Sequence, residues 1–383
     1  MKLARASVHL IDLRLRTPFT TSFGTATLLR RPFVVLETDD GRRGVGEVPT
    51  LPEPAYKAEV DTPAGLTSLR EWLLPAVAKA QRGAGRIDDV AALRQSYAWV
   101  KGAVFAKSGV EAAFWDLLAQ EAGAPLWKLW GGEPRAFDVG VSIGGATTDD
   151  VLRLADRAVG LGYRRLKIKI WPGFDREPAA ALRQRFPDLL LQVDANSAYD
   201  LSTWERLQAL DDLGLLLIEQ PLFDDDIVLH ARVSRELATP LCLDESLHSL
   251  RDADTAISLW RDGAGLERLI VNIKPPRVSG FAEAVAIANH CREAGVRTWI
   301  GGMLDSAWGK AMNLQLNGLP TFDLPGDHFS PGGAYFEEDV TTTSLVAIEG
   351  RFSLDDAPGT GLAIDWARFE RMGEEVLSFD LRR

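Results

Sequence analysis

Eight short apolar runs recur from about residue 137 onward, roughly one strand-plus-helix apart. They read FDVGVSIGG, RRLKIKI, LLLQVDAN, LLLIEQP, PLCLDES, RLIVNIKP, VRTWIGGM and PTFDLPGD, with amphipathic segments of helix length between them. Alternating strand and helix patterns build a parallel sheet covered on both faces. Eight such units point to a closed barrel. An open doubly wound sheet is the alternative, but no G-x-G-x-x-G follows the first run, so a dinucleotide site is not supported.

The runs end in polar residues with a regular order. Lys167 and Lys169 end the second, Asp194 the third, Glu219 the fourth, Asp244 and Glu245 the fifth, and Lys274 the sixth. Lys169, Asp194, Glu219 and Asp244 follow one another at intervals of 25 residues, and Lys274 comes 30 residues later. Barrel active sites lie at the C-terminal strand ends, so these groups should open into one mouth. Asp194, Glu219 and Asp244, on neighbouring strands, would converge. Three close carboxylates repel unless a cation sits between them. Hard oxygen ligands suit Mg²⁺, and the lack of Cys or His beside them speaks against zinc.

Strands two and six are four apart in an eight-strand ring, so Lys169 and Lys274 should face each other across it. Period-2 alternation puts Lys167 and Lys169 on one inward face. Adjacent ammonium groups near a dication are expected to lower a lysine pKa and make a usable base. One such motif alone is uninformative, because a strand-terminal lysine or aspartate is commonly solvated. The joint placement is different, since buried charges are costly unless paired or metal-bound. It suits removal of a proton α to a carboxylate, with metal and ammonium groups stabilising the enediolate.

The N-terminal part is organised differently. Residues 3–15 and 33–39 read as strands, and DDGRRG, from Asp39 to Gly44, carries an Asp-Gly turn signal. Residues 65–123 read as helical, with Gly123 as a C-cap. After residue 338 a strand-like run, TSLVAIEGRFSL, suggests a return to the N-terminal domain. A net charge of −11 argues against a diffuse nucleic-acid surface. No apolar run approaches the ~18 residues of a membrane span, and MKLARASVHLIDLRLR lacks the apolar core of a signal peptide. Cys242 and Cys291 have no metal-type neighbours and read as buried free thiols in a reducing compartment. A cytoplasmic protein acting on a small molecule is expected.

The motifs KIK (167–169), DAN (194–196), EQP (219–221), DES (244–246) and NIKPPRVSG (272–280) resemble the muconate-lactonizing branch of the enolase superfamily. Within it they are most similar to the o-succinylbenzoate synthase/N-succinylamino acid racemase family. TPFTTSFGT (17–25), LWGG (129–132), GVSIGG (140–145), GGMLDS (301–306) and LPGD (324–327) support the match, which spans nearly the whole chain. A lysine base beside Mg²⁺ is the known pattern of such sites.

The resemblance implies a (β/α)₇β modified TIM barrel over residues 133–338. An α+β capping domain would comprise residues 1–132 and the returning segment 339–383. It implies Mg²⁺ (or Mn²⁺) on Asp194, Glu219 and Asp244, with Lys169 and Lys274 as the acid/base pair. Lys167 would stabilise the enediolate, with Asn196 and Glu245 as supports. Ser142, Gly301 and Met303 would line the substrate pocket, and the 17–25 loop with Phe23 would cap it. Arg277 matches an arginine of racemising members and is expected on the substrate side. The substrate would be a small carboxylate, and a homo-oligomer is expected. The implied reactions are dehydration of 2-succinyl-6-hydroxy-2,4-cyclohexadiene-1-carboxylate to o-succinylbenzoate, as in menaquinone synthesis, and racemisation of N-acylamino acids. Another cycloisomerase, a dipeptide epimerase or a non-catalytic binding protein on the same scaffold are the alternatives.

Departures put the substrate in doubt. Pro276 stands where glycine is usual, Asp305 replaces a glutamate, Trp308 is bulky, and extra residues precede strand six around RDGAGLER. A mandelate-racemase-like site would need a histidine ending strand seven, where IGGM stands. His248 and His328 read as ordinary loop histidines, and Asp224, Asp225 and Asp226 as a solvated run.

Overall fold

A computed structural model describes residues 1–382 apart from 22, 23, 55, 59 and 331–333. Strands β1 (Leu3–Thr21), β2 (Gly24–Thr38) and β3 (Arg43–Glu47) form an antiparallel meander. The Asp39–Gly41 turn joins the last two, with Gly41 at φ +89°, as the Asp-Gly signal requires. The helix Val104–Ala122 lies directly on this sheet. Glycines make that approach possible: a Cβ at Gly46 would stand 2.0 Å from the Gly109 carbonyl oxygen. The helical stretch is broken into segments at 62–84, 90–96 and 104–122, and Gly123 ends the last in the left-handed region.

The barrel is built from β4 (Ala136–Ile143), β5 (Arg165–Lys169), β6 (Leu190–Asp194), β7 (Leu217–Glu219), β8 (Leu241–Leu243), β9 (Leu269–Ile273), β10 (Arg297–Ile300) and β11 (Gly326–Phe329). All neighbours in the order β10-β9-β8-β7-β6-β5-β4-β11 pair in parallel. The Thr298–Phe322 bridge draws the two ends together. Helical crossovers link successive strands, the one between β6 and β7 being a 3-10 helix, Trp204–Leu213. A short β12 (Arg351–Ser353) pairs antiparallel with β4, and β13 (Gly373–Asp380) returns to pair with β1. The fold is a modified (β/α)₇β barrel with an antiparallel capping sheet.

The eighth apolar run is not itself the eighth strand. Pro320 and Pro325 lack the N–H that a ladder needs, so PTFDLP crosses as a loop and the strand starts at Gly326. Gly326 pairs with Val139 and Phe329 with Val141, three steps against two. That irregularity re-aims side chains, as bulges do beside active sites.

Alternation divides each strand. Leu166, Ile168, Leu191, Val193 and Ile218 belong to the large apolar core of the barrel. Arg165, Lys167, Gln192, Asp194 and Glu219 are buried polar groups on alternate positions. Trp299, Cys242 and Ile270 form a separate small cluster, with the Arg165 guanidinium 4.4 Å from the Trp299 ring centre.

Candidate active site

Strand register sets the functional side chains level with one another. Lys169 is paired with Asp194, and Asp194 with Glu219. Lys167 Nζ donates to Asp327 at 2.6 Å, Glu219 at 2.9 Å and lies 3.1 Å from Asp194. Lys169 Nζ donates to Asp194 Oδ2 and Asn196 Oδ1, each at 2.6 Å. On the other side, Lys274 Nζ donates to Asp244 Oδ2 at 2.8 Å and to Tyr56 Oη at 3.2 Å. Strands β5 and β9 are four apart in the barrel order, so Lys169 and Lys274 approach from opposite walls. Both line one cavity of about 420 Å³, together with Lys167, Asn196, Ser142 and Met303.

The strand ends are braced to each other. Asn196, at φ +42°, donates from Nδ2 to Glu245 Oε1 at 2.8 Å, and its backbone N–H reaches Asp194 Oδ1 at 3.0 Å. Gln220 Oε1 accepts from the backbone N–H groups of Asp244 and Ser246 at 2.9 and 3.1 Å. Asn272 Nδ2 donates to Glu219 Oε1 at 2.7 Å. From the cap, fully buried Arg31 donates to Glu47 at 2.7 Å and to the Met303 and Leu304 carbonyls at 2.5 and 2.8 Å. Glu47 also accepts from Ser306 Oγ at 2.6 Å. The capping sheet therefore holds the 301–306 loop at the cavity.

The electrostatics are nearly balanced. Asp194, Glu219, Asp244, Glu245 and Asp327 meet Arg165, Lys167, Lys169, Lys274 and Arg277, five acids against five cations, all buried or nearly so. Burial opposes the charge of Lys167, but Asp327, Glu219 and Asp194 outweigh it and raise its pKa well above the usual lysine range. Burial likewise opposes the charge of Lys274, yet Tyr56, Glu245 and Glu219 raise it. Burial pushes Glu245 up to about 7, with Asp194 adding to the shift.

The whole chain carries two matched regions. Residues 5–131 match the mandelate racemase/muconate lactonizing enzyme N-terminal domain, and residues 150–368 match the enolase C-terminal domain-like family. The chain belongs to the enolase superfamily. An o-succinylbenzoate synthase of Geobacillus kaustophilus is 41% identical over 366 residues, covering 94% of this chain and 93% of that protein. An N-succinylamino acid racemase of Thermus thermophilus is 40% identical over 376 residues, covering 97% of each. A crystal structure of an enolase-superfamily member from Listeria innocua superposes with a TM-score of 0.91 at 32% identity, covering 100% of both chains. The protein is an enzyme with enolase-superfamily catalysis.

Within this superfamily frame, several expected residues fall elsewhere than the sequence suggested. Arg277 is fully buried and does not line the cavity. Its guanidinium pairs with Asp244 and reaches the Leu247 carbonyl at 2.8 Å and Tyr56 Oη at 3.4 Å, so it braces Asp244. Gly301 lies behind the lining: a Cβ there would stand 2.4 Å from Asn272 Oδ1 and 2.8 Å from Lys274 Cε, so its role is to admit those side chains. Phe23 lies outside the described residues. Without a bound ion, the acids around Lys167 and Lys274 raise their pKa values rather than lower them. Trp308 packs away from the cavity and donates to the Val45 carbonyl at 2.9 Å. Pro276 sits in the turn after Lys274, where no ladder N–H is needed.

Residues not singled out also reach the site. Tyr56 comes from an irregular cap segment that carries no periodic signal. Asp327 ends the LPGD motif and binds Lys167. His328, read as a loop histidine, is on β11, buried, and lines the cavity.

Proposed function

We propose that the enzyme removes the proton α to a carboxylate of a dicarboxylate substrate, using Mg²⁺ or Mn²⁺. It acts as an o-succinylbenzoate synthase, an N-succinylamino acid racemase, or both. The observation that carries this reading is the pair of lysines entering one cavity from barrel strands four apart.

The donor chemistry fits a hard dication. Asp194, Glu219 and Asp244 offer only oxygen at adjacent strand ends, and Glu245 Oε2 and Asn272 Oδ1 are buried with no hydrogen-bond partner among the described residues. Each of the three carboxylates is paired with a lysine or arginine. Among the described residues no three acids, histidines or cysteines are gathered as a ligand set. Asp194, Glu219 and Asp244 would hold the ion, braced by Asn196 and Glu245. When bound, it would supply positive charge that stabilises the enediolate.

The balance of acids and bases bears on the substrate. A dication in a buried site favours anionic partners, and a dicarboxylate supplies them. The cyclohexadiene substrate and N-succinylamino acids both carry two carboxylates.

Lys169, once neutral, takes the α-proton, and the C–H electrons move into the carboxylate to give the enediolate. Lys167 and Lys274 hold that charge. For dehydration the electrons return to form the ring double bond, and the β-hydroxide leaves and is protonated to water. For racemisation one lysine takes the proton from one face and the other returns a proton to the opposite face. The relatives' two activities support both outcomes. The test is turnover of the cyclohexadiene substrate, and Cα exchange of both N-succinyl enantiomers in D₂O, with Mg²⁺ present. No dehydration and no exchange, with metal bound, would sink the reading.

A further inference from the structure

We propose that His328 is a specificity-determining residue that hydrogen-bonds an uncharged acyl carbonyl on the substrate, beyond the carboxylate at the reacting carbon. The inference rests on the acyl-dicarboxylate reading above. His328 is 1% exposed and lines the cavity, yet neither ring nitrogen has a hydrogen-bond partner among the described residues. Buried polar groups are nearly always satisfied, and leaving one unmade is costly.

The chain's other buried histidine shows the ordinary solution. His230 is 0% exposed, its Nδ1 meets the Asp226 carbonyl at 2.7 Å, and its Nε2 accepts from the Leu222 N–H at 3.2 Å. His328 differs in facing a cavity, so a ligand is the natural partner. Room for the ring is built in. A Cβ on Gly302 would lie 3.0 Å from His328 Nδ1, and one on Gly326 would lie 3.2 Å from Nε2. The irregular β11–β4 pairing lets His328 reach the cavity while its neighbour Asp327 reaches Lys167.

The surroundings select the kind of group recognised. Asp305 and Asp327 stand beside the imidazole, with Lys310 and Arg165 beyond, and burial lowers its pKa. A neutral imidazole offers one N–H donor and one acceptor. A neutral imidazole suits an uncharged acceptor, and a carbonyl oxygen can accept the ring N–H. Ser142 Oγ, on the adjacent strand β4, is a second buried oxygen without a partner in the same cavity. Both unpartnered groups line the cavity an amide or ketone would enter.

The test compares His328→Leu and His328→Asn with the parent, in excess Mg²⁺. Cα exchange of N-succinylphenylalanine is followed in D₂O, and binding of o-succinylbenzoate by calorimetry. A contact remote from the reacting carbon is uniform binding. His328→Leu should therefore raise KM and the o-succinylbenzoate Kd by about 10- to 100-fold with kcat nearly kept. His328→Asn, which keeps a donor, should recover most of the loss. His328→Leu should not lower the melting temperature, since it removes an unsatisfied buried group. KM and Kd within twofold of the parent, or a loss confined to kcat, would overturn the inference while leaving the proposed function standing. An inactive parent that still binds o-succinylbenzoate, more weakly after His328→Leu, would instead remove the proposed function and keep the contact.

Discussion

Lys274→Arg separates charge from proton transfer at the second wall of the cavity. The side chain is buried, with Nζ 2.8 Å from Asp244 and 3.2 Å from Tyr56 Oη, and the Tyr56 ring centre 4.8 Å away. Gly301 has no Cβ because one would sit 2.8 Å from Lys274 Cε. The longer, planar guanidinium keeps a positive charge but fits poorly there and cannot give up a proton at working pH. A positioned acid–base group contributes about 10²- to 10⁴-fold. Cα exchange of the enantiomer whose proton faces Lys274 should therefore fall by at least about 10²-fold, or ~2.7 kcal/mol at 1.36 per decade. The other enantiomer, served by Lys169, should lose far less in its first exchange. The assay is proton NMR of each purified N-succinyl enantiomer in D₂O with Mg²⁺. If Lys274→Arg exchanges both enantiomers at the parental rate, Lys274 is not an acid/base group and the two walls do not share the proton transfers.

Other perturbations probe neighbouring links. Gly301→Ala should mimic the lysine change, displacing Asn272 and Lys274 through a Cβ 2.4 Å from Asn272 Oδ1; unchanged exchange kinetics would contradict that packing role. Chelation of divalent metal should abolish exchange and Mg²⁺ restore it, with a dose-dependent rise in melting temperature; full activity in chelator would rule out the metal. Asp116 is buried without a cation, accepts from the Val45 N–H at 2.9 Å, and burial pushes it from 3.8 up to about 7. The folded chain keeps a proton that the unfolded chain has released across that window, so stability falls as pH rises from about 4 to 7. Asp116→Asn should match the parent near pH 4 and exceed it at pH 8, by at most about 4 kcal/mol at 1.36 per pKa unit, measured by denaturant titration; no pH-dependent gap would refute the shift.

What could be read from the sequence was what repeats. The lysines and acids of β5 to β9 lie at or just beyond strand ends, and one-unit spacing carries that register along the chain. The barrel and its opposed lysines followed from counting. The eighth strand did not, because prolines interrupt its apolar run and the ladder begins only at Gly326.

The misplaced residues share a cause: their roles depend on partners far away in sequence. Arg277 is expected on the substrate side from its match to racemising members, but its guanidinium pairs with Asp244 and the Leu247 carbonyl, and a guanidinium so deeply buried needs those acceptors. Tyr56 reaches Asp244 across 188 positions, from a segment with no pattern. The lysine pKa values turn on the same point. Spacing places cations beside cations, but it does not show that Asp327 closes on Lys167 at 2.6 Å from a strand beginning one loop later than its apolar run. Pairing across the barrel thus brings an acid from the last strand onto a lysine of the second, a contact that spacing along the chain does not show.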